Sequence, residues 1–287
     1  MNIKNNAKGR PDFLIIGSMK SGTTTLYDDL RKLDQVHLPS DKEPRILAKY
    51  TNTDKMKEAY AFHFRMALGG EICGEASTAY TSRPLYEGIP KRAFDLCGKE
   101  LRLLMIMRDP LERIYSHLRH NVAGRHIKVD QIDRIVFEDP EYIAISDYAM
   151  QLKPWVDRFG ADNLKCISFR EFKNDRYGTL CGIANFLGVP PPQNTVDVFK
   201  TSNKSEELRR TGNLVGAMLQ SRLYRRSIRP LLSDKVRTGI RSALLPRASL
   251  PEIRLSQSSE QRLKEMLANV ETDLEGLLGT RLDLYGS

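Results

Sequence analysis

Fourteen residues, Phe13-Leu-Ile-Ile-Gly-Ser-Met-Lys-Ser-Gly-Thr-Thr-Thr-Leu26, constrain the fold more than any other part of the chain. Phe13 to Ile16 is an apolar run of strand length. Gly17 ends it, and Gly22 stands where a helix would begin. Leu26, Leu30 and Leu33 then recur at helical spacing. The pattern is strand, tight loop, helix. Such a loop turns backbone N–H groups and the positive end of a helix dipole toward one spot, which suits a phosphate or sulfate. Lys20 adds a mobile charge inside the loop, and Thr23, Thr24 and Thr25 add three hydroxyls.

The spacing of Gly17 and Gly22 matches the ATP-binding pattern G-x-x-x-x-G-K-[ST], but Thr23 stands where that pattern requires lysine. The lysine sits inside the loop, at position 20. An ordinary nucleoside triphosphatase with this loop would lack its β/γ-phosphate clamp, so the loop reads as built for another anion geometry. A plain glycine-rich turn would give the same local pattern.

Further strands alternate with helices. Leu101 to Met107 reads as a strand buried on both faces. Arg108-Asp109-Pro110-Leu-Glu112 follows, with Asp109 as N-cap, Pro110 at the first helical position and Glu112 completing a capping box. Arg108 thus ends a strand beside a helix start, and Ser116 lies two turns along. A phosphate could bridge them; a structural ion pair is the other reading of Arg108. Glu71 to Gly74 reads as a short strand leading to a polar loop that carries Glu75. Leu164 to Phe169 is another strand. Thr53 to Leu68, Pro84 to Cys97, Asp139 to Gly160 (with a break) and Tyr177 to Leu187 read as helices. The last helix spans about 256–280, with Leu263, Met266, Leu267, Val270, Leu274, Leu277 and Leu278 as one apolar stripe. The expected fold is α/β, a mostly parallel central sheet flanked by helices, with both anion sites at strand C-termini. One ligand with phosphates at both ends could occupy both.

The chain's 287 residues carry a net charge of +9, and residues 200–254 account for all of it, with 13 Lys and Arg against four acids. That segment could meet an anionic substrate or an anionic membrane surface, or form a solvated helical face. Residues 1–10 are polar and basic, without the apolar core of a signal peptide. Cys73, Cys97, Cys166 and Cys181 are scattered, which speaks against a zinc site or a disulfide framework. These features lead us to expect one domain over 1–287, with a flexible 1–10, in the cytoplasm, either free or peripheral to the membrane.

Taken together, Gly17 to Leu26, Arg108-Asp109-Pro110 with Ser116, Lys42-Glu43-Pro44, Phe169-Arg-Glu171-Phe172, Phe186-Leu-Gly188 and the last helix resemble the sulfotransferases that use 3′-phosphoadenylyl sulfate (PAPS). The fold so implied is P-loop-like. Lys42-Glu43-Pro44 is similar to the Lys-Glu-Pro segment of the carbohydrate and heparan-type branch. The resemblance implies that Lys20, Ser21, Gly22, Thr23, Thr24 and Thr25 hold the 5′-phosphosulfate, and that Arg108 and Ser116 hold the 3′-phosphate. Asn203-Lys204-Ser205 resembles the segment that closes over the donor, which makes Lys204 a further binding candidate. No metal is expected, because the sulfuryl group carries less charge than a phosphoryl group. Lys20 would stabilise the leaving oxygen.

The resemblance makes Glu43 the first choice for the base that takes the acceptor's proton, with Glu75 in reserve. Heparan-type enzymes often carry lysine where Ala76 stands, and the Lys-Thr-His segment of the cytosolic branch is absent from this chain. The implied acceptor is a hydroxyl on a glycan or glycolipid. The competing readings are a small-molecule kinase with a variant loop, and a non-catalytic module whose basic segment binds nucleic acid or membrane. The last leaves both anion sites unexplained, so no nucleic acid partner is expected.

Overall fold

The computed structural model describes residues 9–125, 127–193 and 252–285. Lys204, its neighbours Asn203 and Ser205, nearly all of the basic segment and most of the N-terminal stretch lie outside the described residues.

Among the described residues, five strands form one sheet: β1 (Phe13–Gly17), β2 (Val36–His37), β3 (Ile72–Ala76), β4 (Arg102–Met107) and β5 (Leu164–Ser168). Their order is β2-β3-β1-β4-β5, and every pairing is parallel. The chain builds outward from β1 on one side, returns, and crosses to β4 on the other. The strand order therefore reverses at β1, and the crevice for a ligand opens at the C-terminal ends of β1 and β4.

Alternation along the strands makes two cores. Leu14, Ile16, Leu103 and Met105 face one side, where they pack with Met56, Tyr60, Ile89, Trp155 and Leu274. Phe13, Ile15, Leu104 and Ile106 face the other, against Leu26, Leu30, Leu180 and Ile183. The helices that cover the sheet are α1 (Thr23–Leu30), α2 (Ile46–Lys49), α3 (Thr53–His63), α4 (Ile89–Cys97), α5 (Pro110–Arg125), α6 (Ile132–Glu138), α7 (Pro140–Ile143), α8 (Tyr148–Phe159), α9 (Phe169–Asn174), α10 (Arg176–Leu187), α11 (Gln257–Met266) and α12 (Val270–Leu278). Asp109 caps α5 as its sequence predicts, accepting the Glu112 N–H at 2.7 Å. No helix among the described residues is long and apolar enough to cross a membrane.

Four expectations are corrected. The terminal helix is two helices, because the chain leaves helical geometry between Leu267 and Asn269. Leu263, Leu267, Val270 and Leu274 are buried, but Met266, the last residue of the first helix, is 52% exposed. The helix starting at Thr53 stops at His63, before the diglycine, and the one ending at Cys97 begins only at Ile89. Finally, β3 continues through Ala76, so Glu75 is a strand residue inside the molecule and not a group in a polar loop.

Candidate active site

The β1–α1 loop is shaped by two close approaches. A Cβ on Gly17 would stand 2.0 Å from Thr81 Oγ1, whose hydroxyl donates to the Ile16 carbonyl. Gly22, the N-cap of α1, has φ +93°, and a Cβ there would stand 2.6 Å from the Phe169 ring. Only glycine meets both conditions at low cost. Gly22 has no side chain to cap α1, so among the described residues its first N–H groups are left for a ligand, as an anion site requires. Lys20 itself has φ +72°, and the Ser18 and Ser21 hydroxyls lie 2.9 Å apart. Thr23 is buried, Thr25 half-buried and Thr24 exposed at the helix start.

Burial, with the positive charges of Arg113 and Lys42, lowers the Lys20 ammonium to about 8. Arg113 on α5 is fully buried and donates to Ser146 Oγ at 2.6 Å and to the Tyr142 carbonyl at 2.6 Å. The loop is thus a crowded cationic region, and an anion there would relieve repulsion.

The second loop, after β4, is fastened to the first. The Ser18 N–H donates to the Ile106 carbonyl at 2.8 Å. The Tyr148 phenol, fully buried at the start of α8, donates to the Arg108 carbonyl at 2.7 Å and lies beside the Ser18 and Ser21 hydroxyls. Arg108 leans toward the Phe169 ring, 5.2 Å from its centroid. Its guanidinium holds Glu112 Oε2 at 2.5 and 2.9 Å, so the ion-pair reading of Arg108 describes this state. Glu112 is exposed, and a phosphate could take its place. Ser116 is half-buried on the same helix.

Lys42-Glu43-Pro44 folds against the end of β3. The Glu43 N–H donates to the Ala76 carbonyl at 3.0 Å, and Glu43 Oε2 accepts the Thr78 N–H at 2.9 Å. Lys42 Nζ stands 3.1 Å from Glu43 Oε1 and 3.3 Å from Thr23 Oγ1. One lysine therefore links the carboxylate to the first residue of α1. Glu75 is different. It has no exposed surface, and three hydroxyls occupy its oxygens: Tyr60 at 2.5 Å, Tyr80 at 2.5 Å and Ser77 at 2.6 Å. Burial raises its carboxyl above the usual range, and those three hydrogen bonds oppose the rise. An acceptor cannot reach it, so the reserve assignment of Glu75 as base is set aside.

The sequence-predicted Lys20, Ser21, Gly22, Thr23, Thr24, Thr25, Glu43 and Arg108 fall on loops or helix starts next to strand ends, and Ser116 lies two turns into α5. Tyr148, Arg113, Thr78 and Phe169 were not predicted for the site. Phe169, Thr78 and Arg113 lie in stretches that the sequence singles out, namely the Phe169–Phe172 segment, the polar loop after Gly74 and the run from Arg108 to Arg113; Tyr148 carries no local signal, because only folding brings it beneath the loops.

A sulfotransferase domain model matches residues 10–213. The chain belongs to the sulfotransferase domain family. Among curated relatives, it is 34% identical over 115 residues to the membrane-associated sulfotransferase kil1 of Dictyostelium discoideum, covering 39% of this chain and 23% of that protein. It is 28% identical over 203 residues to the bifunctional heparan sulfate N-deacetylase/N-sulfotransferase 4 of Mus musculus, covering 64% of this chain and 23% of that one. The chain therefore spans less than a quarter of the length of these two relatives. In fold it is similar to a sulfotransferase from Alicyclobacillus acidocaldarius, with a TM-score of 0.61 at 20% identity over 95% of this chain and 97% of the other.

Proposed function

We propose that this sulfotransferase domain moves a sulfuryl group from PAPS to a hydroxyl on a glycan or glycolipid, by in-line transfer and without a metal. The observation that carries the reading is the bond from Ser18 to Ile106, which fixes two cationic strand-end loops side by side. Neighbouring strands lie about 4.8 Å apart, so one donor with phosphate groups at both ends can engage both loops. The residues fit such a donor. The uncapped start of α1 with Lys20, Ser21, Gly22, Thr23, Thr24 and Thr25 takes the phosphosulfate end, and Arg108 with Ser116 takes the 3′-phosphate.

In this reading Glu43 accepts the proton of the acceptor hydroxyl as that oxygen bonds to sulfur and the sulfur–oxygen bond to the donor breaks. Lys20 faces the charge that gathers on the leaving phosphate oxygen. Lys42 holds Glu43 beside the loop. The glycan class is supported by the Lys42-Glu43-Pro44 segment and by the naming of a relative for heparan sulfate. We further assign the activity to a single domain in the cytoplasm, with Lys204 and the basic segment meeting the donor, an anionic acceptor or a membrane surface.

The test is transfer from labelled PAPS to a panel of glycan, glycolipid and phenolic acceptors, without metal. Label on a glycan or glycolipid with release of adenosine 3′,5′-bisphosphate is the expected result. Label on phenols alone would overturn the acceptor class. Phosphate transfer from ATP in place of sulfate would overturn the reaction.

A further inference from the structure

A carboxylate costs several kcal/mol to bury unless donors surround it. Glu75 is fully buried, and its donors do more than satisfy it. Tyr60 donates to Oε2 at 2.5 Å. Ser77 and Tyr80 both donate to Oε1, at 2.6 and 2.5 Å. These last two hydroxyls each have a second partner. The Arg45 N–H meets Ser77 Oγ at 2.9 Å, and the Leu47 N–H meets Tyr80 Oη at 3.1 Å. A backbone N–H can only donate. Each hydroxyl therefore accepts from the backbone and sends its own hydrogen to Glu75. The carboxylate sets the direction of both hydroxyls, and through them it holds residues 45 and 47.

That stretch requires holding. Glu43 has φ 64° and Arg45 has φ 56°, two non-glycine residues in the left-handed region. Each such residue costs of order 1 kcal/mol or more and persists only where neighbours over-determine it. Four bonds do so, all from residues 76–80: Ala76 to the Glu43 N–H, Ser77 to Arg45, Tyr80 to Leu47, and Thr78 to the Glu43 carboxylate.

We infer that Glu75 is a positioning residue for Glu43, acting through the Ser77 and Tyr80 hydroxyls that fix the Arg45–Leu47 backbone. The inference rests on the reading of Glu43 as the proton acceptor. It accounts for a buried charge one strand away from the crevice, which the transfer itself does not use.

The test uses the full chain with Ser77→Ala, Tyr80→Phe and Ser77→Thr. Three quantities are read: calorimetric affinity for adenosine 3′,5′-bisphosphate, amide hydrogen exchange of the peptide covering residues 43–48, and kcat and KM with labelled PAPS and a desulfated heparan oligosaccharide. Ser77→Ala and Tyr80→Phe should leave bisphosphate affinity within about twofold. They should raise exchange of that peptide roughly tenfold and lower kcat by roughly tenfold to a hundredfold. Ser77→Thr, which keeps the hydroxyl, should restore both. Unchanged exchange overturns the inference, as does unchanged kcat. Affinity that falls in step with kcat assigns Glu75 a general structural role instead. Failure of the wild-type chain to bind the bisphosphate defeats the sulfuryl-transfer reading, a result distinct from any change confined to the variants. If the oligosaccharide is not an acceptor, the exchange result decides the inference alone.

Discussion

The Ser18 amide donates to the Ile106 carbonyl across 2.8 Å, and this one bond makes the β1–α1 loop and the β4–α5 loop parts of a single edge. Each loop carries its own cation, Lys20 or Arg108. The Tyr148 phenol touches both, through the Arg108 carbonyl and the Ser18 and Ser21 hydroxyls. The account of function depends on this pairing, and it yields separable predictions for the two ends.

At the Lys20 end, Lys20→Ala should lower kcat by roughly a hundredfold or more, with a smaller loss of nucleotide affinity. Kinetics and calorimetry on the same preparation check this. Turnover that is unchanged would remove Lys20 from the transfer step.

Lys20 also sets a pH dependence. Its ammonium is lowered to about 8, so it is charged below that pH and neutral above it. Bisphosphate affinity should therefore hold up to about pH 7 and then fall through about pH 8, approaching tenfold per unit as one proton becomes linked to binding. The ligand's phosphates, whose second pKa is near 6, are already ionised across this range. Lys20→Arg keeps the charge and should flatten the fall. A fall of the same slope in that variant would assign it to another group.

At the other end, Arg108→Ala should weaken nucleotides that bear a 3′-phosphate and spare those without one. Competition between Glu112 and the phosphate for the guanidinium gives a second expectation. Glu112→Ala should raise bisphosphate affinity by about two- to fivefold, the scale of an exposed ion pair. Equal losses for both nucleotide classes in Arg108→Ala would contradict the two-ended site.

Much of this site is legible in the sequence, because it sits where strands end and helices begin. Gly17, Gly22, Asp109 and Pro110 are backbone signals, and a backbone signal is local. What stays hidden depends on distant partners. Glu75 looks like a loop carboxylate until Tyr60 and Tyr80 close over it. Tyr148 looks like any helix residue until it reaches the Arg108 carbonyl, 40 positions away. The break at Leu267–Asn269 is hidden for the same reason: the apolar stripe continues through it, and Met266 in that stripe is exposed all the same.

Glu43→Gln removes the carboxylate that we propose as the proton acceptor but keeps its shape. Transfer should be lost, while bisphosphate affinity stays within about twofold, since the donor is held by other residues. Near-normal transfer by this variant would move the base to a residue other than Glu43, and Glu75 is too deeply buried to replace it.

Stability has its own anchor. Asp29 on α1 is fully buried, and Arg176 at the start of α10 grips it with two bonds of 2.6 Å. Asp29→Ala leaves the arginine without its carboxylate and should cost about 3–5 kcal/mol. Denaturant unfolding measures this, and a loss below about 1 kcal/mol would show that the pair does not anchor the helix that opens the site.

The most direct test of the central claim is calorimetric titration of the chain with adenosine 3′,5′-bisphosphate, in the absence of metal, beside ATP with Mg²⁺. The account predicts tight binding of the bisphosphate and weak binding of ATP, with the difference lost in Arg108→Ala. Preference for ATP–Mg²⁺, with no response to the 3′-phosphate, would contradict it.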